Sequence, residues 1–113
     1  MKLLTKAIET KFEKSNRGDD TQGRRAGEIL VKFFDPCGRG TWYVLEAEKG
    51  EYEHGTDWRL YGYCVSPLGP DCDEYGYVML SELQAVRGRF GLGIERDIHF
   101  RGTIQEVLKA EAV

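Results

Sequence analysis

The stretch that says most about the fold covers residues 81–100 and reads SELQAVRGRFGLGIERDIHF. Its first four residues have the S-x-x-Q form of a capping box, and Gly88 follows soon after, so we expect a helix of about two turns. Glycines then punctuate a loop, and residues 94–100 have the composition of a strand. The segment therefore predicts a helix, a loop and a strand in that order.

Two hairpins are predicted before this segment. The first joins residues 29–34 to residues 41–48 through the turn-forming sequence DPCGRG. The second joins residues 58–65 to residues 74–80 around SPLGPDCD, whose two prolines prevent the strands from continuing. Residues 49–57 are polar and contain glycine, so we expect a loop between the hairpins.

Helices are predicted at both ends of the chain. Apolar residues recur at helical spacing after Thr5, a candidate N-cap, and predict an amphipathic helix over residues 5–15. The sequence TIQE from Thr103 is a second capping box, which opens a last helix. Residues 16–27 are rich in glycine and charge, so we expect a long loop there, as a solvated connector rather than a binding loop.

This order of elements predicts an α+β fold. We expect about five strands in a mainly antiparallel sheet, with an N-terminal helix, a short helix, a C-terminal helix and the helices on one face. The 113 residues fit a single domain over residues 1–113, and the 12% of aromatic residues supply large side chains for its core.

Charge and hydropathy exclude several classes of protein. The formal net charge of −3 gives neither the basic surplus that strong nonspecific nucleic-acid binding needs nor the dense acidity of a DNA mimic. No apolar run approaches the roughly 18 residues of a membrane span, and the apolar residues at the N-terminus are too few for a signal peptide. We therefore predict a cytoplasmic protein.

The three cysteines do not indicate a metal or a disulfide framework. Their number is odd, and their spacing lacks the paired C-x-x-C pattern of zinc sites. We predict no metal and no cofactor, with Cys64 as a small core residue. The alternative is a zinc site built from Cys37, His54, Cys64 and Cys72.

Arg96 is the anomaly of the last predicted strand. Alternation puts it on the same side as Ile94 and Phe100, and an unpaired buried charge costs about 3 to 5 kcal/mol. The favoured interpretation is a structural arginine that fastens a loop or helix end, with Glu46 or Glu82 as a candidate partner. The alternative is an anion-binding arginine in a pocket.

Catalytic signals are weak. An enzyme centred on Glu95, Arg96, Asp97 and His99 would require a deep pocket that joins those side chains, because a general base needs a pocket and a matched pKa. No G-x-S-x-G, H-E-x-x-H or P-loop sequence occurs, and GRFGLG lacks the strand and helix context of a dinucleotide fingerprint.

The second predicted hairpin carries candidate binding residues. Alternation places Arg59, Tyr61 and Tyr63 on one face of its first strand, and Tyr75 and Tyr77 on one face of its second. If these faces coincide, they form a tyrosine surface with one arginine, which can stack single-stranded bases or anchor a protein. The interpretation favoured for a small domain with this many aromatic residues is that the tyrosines pack beneath a helix.

Six blocks of sequence, MKLLTK, VKFFDP, TWYVLE, YGYCV, EYGYVMLSEL and GLGIERDIHF, together resemble the domain-of-unknown-function 2958 family almost end to end. The resemblance implies a small bacterial protein of plasmids, conjugative elements and phages, encoded near DNA-transfer or antirestriction genes. It brings no catalytic residue. The family's blocks contain Trp42, Tyr43, Glu46, Leu83, Glu95, Arg96 and Asp97.

The function expected from these observations is that of a non-enzymatic accessory protein of a mobile genetic element. It would act by binding a macromolecular partner, favoured to be a host defence or DNA-processing protein. The alternative is a single-stranded nucleic-acid-binding module that uses the tyrosines, and the third hypothesis is an unidentified enzyme.

Overall fold

The computed structural model describes residues 2–17, 27–97 and 99–111. In chain order, its main elements are α1 (Lys6–Arg17), β1 (Val31–Phe34), β2 (Thr41–Tyr52), β3 (Gly55–Val65), β4 (Glu74–Met79), α2 (Leu80–Ala85), β5 (Glu95–Arg96) and α3 (Ile104–Glu111). The strands form one sheet in the order β4-β3-β2-β1-β5, and every neighbouring pair is antiparallel. The predicted α+β fold, with five strands and helices near both ends, is confirmed.

The helices cover both faces of the sheet rather than one, so our expectation on this point was wrong. Phe12 of α1 and Leu83 of α2 pack in a core with Phe33. Val107 of α3 packs in a second core with Tyr43. We call the two sides the α1 face and the α3 face. Strand alternation allows this arrangement because neighbouring residues in the central strands supply apolar side chains to opposite sides.

Helix α1 begins where its sequence indicates. The Thr5 hydroxyl oxygen accepts a hydrogen bond from the N–H of Ile8 at 3.3 Å, as an N-cap residue does. Ile8 and Phe12 are buried on the inner side of the helix. The predicted loop over residues 16–27 begins too early, because α1 continues to Arg17, and residues 18–26 lie outside the described ranges.

Strands β2 and β3 run through residues 49–57, where we expected a loop. Pairing continues from Thr41 with Val65 out to Tyr52 with Gly55, and residues 53 and 54 form the turn. Cross-strand contacts hold this polar section together. The Thr56 hydroxyl, for example, donates to Glu51 Oε1 at 2.6 Å. Because polarity is typical of loops, composition alone concealed these strands.

A bulge shifts the register of β2 against β3 between Val44 and Glu46. Val44 packs into the core of the α1 face, whereas Leu45 packs against that of the α3 face. Beyond the bulge, Ala47 again points to the α1 face. The neighbouring Gly62 is required there, since a Cβ at that position would lie 1.9 Å from the carbonyl oxygen of Tyr43.

The last strand is shorter than predicted. It ends at Arg96, because the chain turns at Asp97, whose carbonyl oxygen accepts a hydrogen bond from the N–H of Phe100 at 3.4 Å. Arg96 is the partner of Phe33, which faces α1, whereas Phe100 packs on Tyr43 at the α3 face. The predicted alternation over residues 94–100 was therefore wrong, and Ile98 is outside the described residues.

The capping box of α3 yields a stability prediction. Thr103 Oγ1 accepts from the N–H of Glu106 at 3.3 Å, and Glu106 Oε1 accepts from the N–H of Thr103 at 3.1 Å. Thr103→Ala should lower the free energy of unfolding in urea by about 1 kcal/mol, because it leaves a helix N–H without its acceptor. Thr10→Ala, the same change on the exposed side of α1, should have little effect. Equal losses in the two variants would contradict this role.

Candidate functional site

Strands β3 and β4 bring the predicted tyrosines together on one face. In the antiparallel register, Tyr61 is opposite Tyr77 and Tyr63 is opposite Tyr75. Arg59 is opposite Met79, two residues beyond Tyr77 in β4. Paired residues point to the same side of a sheet, so the two predicted faces coincide. We call Arg59, Tyr61, Tyr63, Tyr75 and Tyr77 the tyrosine face.

The rings of the tyrosine face contact one another. The centroids of Tyr61 and Tyr77 are 5.0 Å apart, and those of Tyr63 and Tyr75 are 5.2 Å apart in an edge-to-face arrangement. The Arg59 guanidinium lies 4.9 Å from the centroid of Tyr77, within cation–π range. Together with the contact between Tyr61 and Tyr75, these contacts make one continuous aromatic surface.

Two of the tyrosines are exposed rather than packed beneath a helix. Tyr77 exposes 66% of its surface and Tyr75 exposes 44%. Tyr63 is half-buried where it packs against the core under α3, so the favoured prediction of packing beneath a helix applies to that end and is wrong for Tyr75 and Tyr77. Large aromatic rings exposed on a rigid strand are typical of a contact surface.

Carboxylates surround the tyrosine face. Glu46 is opposite Tyr61 on the same face, and it is exposed. Glu48 forms an ion pair with Arg59, in which Arg59 Nη2 lies 3.2 Å from Glu48 Oε2. Glu74, the exposed first residue of β4, is opposite Cys64 and therefore lies on the other face of the sheet. On the tyrosine side, one arginine lies beside two glutamates, so the surroundings of the tyrosines are negative on balance.

An apolar pocket of about 410 Å³ lies on the opposite face of the same strands. Gly62 and Gly76 are directly paired beneath it, and Trp42, Leu60, Leu68 and Val78 are among its walls. A Cβ added to Gly76 would meet nothing within 4 Å, so the pocket is open at β4. Among its described lining residues, the charged side chain is that of Glu74.

Two cysteines also line this pocket. Burial raises the pKa of the Cys64 thiol, and the Asp73 and Glu74 carboxylates add to that effect. A protonated thiol is a poor nucleophile and a poor metal ligand. Within the described residues, no three His, Cys, Asp or Glu side chains are close enough together to hold a metal ion, so Cys37, His54, Cys64 and Cys72 are not assembled as the zinc alternative requires.

An ion pair fixes the loop beside the pocket. Arg39 donates from both terminal nitrogens to Asp73, at 2.6 and 2.7 Å, and its Nη1 also donates to the Ser66 carbonyl oxygen. These hydrogen bonds from Arg39 lower the pKa of Asp73 to about 2. Asp73 is therefore ionised at neutral pH, and its ion pair with Arg39 joins the loop to the first hairpin. We did not anticipate this contact, because its residues are 34 positions apart.

A buried carboxylate joins the long hairpin to α2. Asp57 accepts hydrogen bonds from the Ser81 hydroxyl at 2.5 Å, the Ser81 N–H at 3.2 Å and the Trp58 N–H at 2.7 Å. The Nε2 of His54 lies 2.8 Å from Asp57 Oδ2, the oxygen that also accepts from the Ser81 hydroxyl. Burial alone would raise the pKa of Asp57, but hydrogen bonds from Ser81, His54 and Trp58 outweigh burial, and the pKa lies below its ordinary value.

Ser81 and His54 therefore have roles that the sequence analysis missed. Met79, not Ser81, is the N-cap of α2, and Glu82 Oε1 accepts the Met79 N–H at 3.0 Å. The Ser81 hydroxyl bonds to Asp57 instead of a histidine, so the geometry of a base-activated serine is not formed. A carboxylate with a lowered pKa is also a weak base, so this network is structural.

Arg96 is fastened to the N-terminal segment. Its Nη1 donates to the carbonyl oxygen of Lys2, rather than to the carboxylates of Glu46 or Glu82 that we considered. A pocket of about 570 Å³ lies nearby and is lined by Lys2, Arg87 and Glu95, but Arg96 is not among its described lining residues. These observations favour the structural interpretation over the anion-binding one.

The residues of the enzyme hypothesis do not converge. Glu95 lines the 570 Å³ pocket, whereas Asp97 Oδ2 is 3.8 Å from Lys32 Nζ and its Oδ1 accepts from the N–H of His99. His99 is exposed in the turn after β5. Neither the 410 Å³ pocket nor the 570 Å³ pocket joins Glu95, Arg96, Asp97 and His99.

Comparison with known protein families supplies the assignment. A family model described as a protein of unknown function (DUF2958) matches residues 3–110. The chain belongs to the DUF2958 family. Neither the comparison with curated proteins nor that with solved structures found a match. None of the helices in the described ranges has the length and apolar content needed to cross a membrane.

Two aromatic residues from the family's blocks have different surroundings in this DUF2958 chain. Tyr43 is buried in the core under α3, and Trp42 is half-buried where it lines the apolar pocket.

The glycine-containing loop between α2 and β5 has a feature that the sequence analysis missed. Its Phe90 is 80% exposed at a positive φ of 62°.

The Asp57 network predicts a pH-dependent loss of stability. The pKa of Asp57 is lower in the folded chain than in the unfolded one. The ionised Asp57 carboxylate therefore stabilises the fold at neutral pH. That stabilisation is lost as the pH falls from about 4 through the folded pKa. Asp57→Asn should lower the free energy of unfolding by about 1 to 3 kcal/mol at pH 7, and by less at pH 3. Chemical denaturation at both values measures this, with exposed Asp71→Asn as the control. A loss that does not vary with pH would contradict it.

The contact of Arg96 predicts a structural effect in this DUF2958 protein. Arg96→Ala should destabilise the fold by about 1 kcal/mol, because the Lys2 carbonyl loses its charged donor. Amide exchange in residues 2–5 should become faster, while the exposed Lys11→Ala control should change little. Unchanged stability and exchange, with loss of a binding activity, would instead support the anion-binding interpretation.

Proposed function

We propose that this protein acts without catalysis, by binding another macromolecule through the tyrosine face. The observation that carries the proposal is the exposure of Tyr75 and Tyr77 on an ordered strand, in contact with Tyr61 and Tyr63. Tyrosine supplies a large contact area with few rotatable bonds, and it is frequent among the residues that dominate binding energy.

Charge favours a protein over a nucleic acid as the partner. Phosphate backbones bind to surplus lysine and arginine, whereas Glu46 and Glu48 lie beside the tyrosines. Arg59, the arginine of this face, is already paired with Glu48. Single-stranded nucleic acid, which would stack on the same rings, is the second candidate.

The family resemblance supplies the setting of the proposal. It points to an accessory protein of a plasmid, phage or other mobile genetic element that works in the bacterial cytoplasm. We therefore favour a host defence protein or a DNA-processing protein as the partner. Such a role requires no cofactor, and it is compatible with the structural roles of Asp57 and Arg96.

A double substitution tests the proposal. Tyr75→Ser/Tyr77→Ser should reduce capture of the partner from host lysate at least about tenfold, because it removes the exposed rings. Stability should change little, since both side chains are exposed. Tyr52→Ser, which changes an exposed tyrosine at the tip of the long hairpin, is the matched control.

The readout is quantitative mass spectrometry of proteins retained by each variant, with filter binding of an oligothymidylate in parallel. A protein retained by the wild type and the control but not by the double variant supports the proposal. Retention that is equal in all three chains contradicts it. Salt-sensitive oligothymidylate binding that needs Tyr75 and Tyr77 would favour the nucleic-acid alternative.

A further inference from the structure

Strand β4 is an open edge of the sheet. It pairs with β3 on one side, and within the described residues no strand pairs with its other side. An unpaired edge presents free backbone N–H and C=O groups, which can receive a further strand. Natural edges are commonly protected by charge, proline or a covering element. Beyond Glu74, the sequence of β4 contains none of the charged or proline residues that serve this purpose.

The two sides of β4 differ in chemistry. Tyr75 and Tyr77 point to the aromatic, negatively surrounded α3 face. Gly76 points to the α1 face, where the absence of a side chain leaves the 410 Å³ apolar pocket open. A strand added beside β4 would therefore place alternate side chains in two different environments.

We propose that β4 binds an extended peptide segment of a partner by strand addition, and that this segment alternates apolar residues with lysine or arginine. The apolar side chains would enter the pocket past Gly76. The cationic side chains would lie over Tyr77 and point along the sheet toward Glu46. This inference rests on the proposed function, and it adds the chemistry of the partner.

Charge complementarity favours a peptide with lysine or arginine over a second copy of the chain or a single-stranded nucleic acid. Cations bind to tyrosine faces and to carboxylates, and both are present in the row formed by Glu46, Tyr61 and Tyr77. A second copy of the chain would bring another Glu74 and no exposed cation from its own β4. A single-stranded nucleic acid would bring phosphates toward the same carboxylates.

Selection from a phage-displayed library of random nine-residue peptides tests the inference. Immobilised full-length protein should enrich peptides in which lysine or arginine alternates with valine, isoleucine or leucine. An enriched peptide, synthesised and titrated by fluorescence anisotropy, should also protect amides of β4 from hydrogen exchange, because its backbone pairs with that edge.

Two sets of variants locate the binding. Gly76→Val closes the pocket opening without a steric clash, and it should weaken peptide binding by about tenfold while the protein stays folded. Glu46→Gln should weaken it by about threefold, because the exposed charge at the end of the row of Tyr61 and Tyr77 is removed. Glu53→Gln removes one charge from the tip of the hairpin and should have no such effect.

Several results would overturn the inference. These are failure to enrich any peptide, enrichment of acidic or non-alternating peptides, or binding that Gly76→Val leaves intact. Oligothymidylate binding, or a dimer in sedimentation that Gly76→Val dissociates, would assign the edge to another occupant. If no peptide is enriched but partner capture still depends on Tyr75 and Tyr77, this inference fails and the proposed function stands.

Discussion

The pairing of β2 with β3 is the constraint on which the rest of the structure depends. It is the longest strand pair, and its residues supply both hydrophobic cores, Leu60 to the core under α1 and Tyr43 to that under α3. Because β3 also pairs with β4, the same register aligns the tyrosines on one side and the two glycines on the other. The position of every candidate contact residue follows from this one alignment.

Alternation explains why the tyrosine face could be predicted. A strand exposes every second residue to the same side, so Tyr61 and Tyr63 share a face in any sheet that contains them, and likewise Tyr75 and Tyr77. The capping box at Thr103 was predictable for the same reason, since its contacts span only three residues. Local geometry is contained in the sequence, and these features depend on little else.

Contacts between distant residues were not predictable in this way. Ser81, one of the partners of Asp57, is 24 residues away from it, and the hydrogen bonds between them draw Ser81 from the capping role that its local sequence suggests. The polar half of the long hairpin has the composition of a loop. It is nevertheless a strand pair, because contacts between residues on opposite strands, such as Thr56 with Glu51, stabilise it. The early end of β5 likewise depends on a turn at Asp97, which alternation does not indicate.

The bulge between Val44 and Glu46 divides β2 into two halves with opposite phase. Before it, even-numbered residues such as Trp42 face α1, and after it the odd-numbered Ala47 does so. Leu45 is the extra residue of the bulge, so its loss would make the ladder regular and leave both halves in phase, whereas loss of Ala47 would move Glu48 to the position that faces the core. A single residue therefore cannot be inserted or deleted in β2 on either side of the bulge without turning side chains to the wrong face. Natural variation in the hairpin should instead occur as added or removed pairs of residues at its tip, where both phases are preserved.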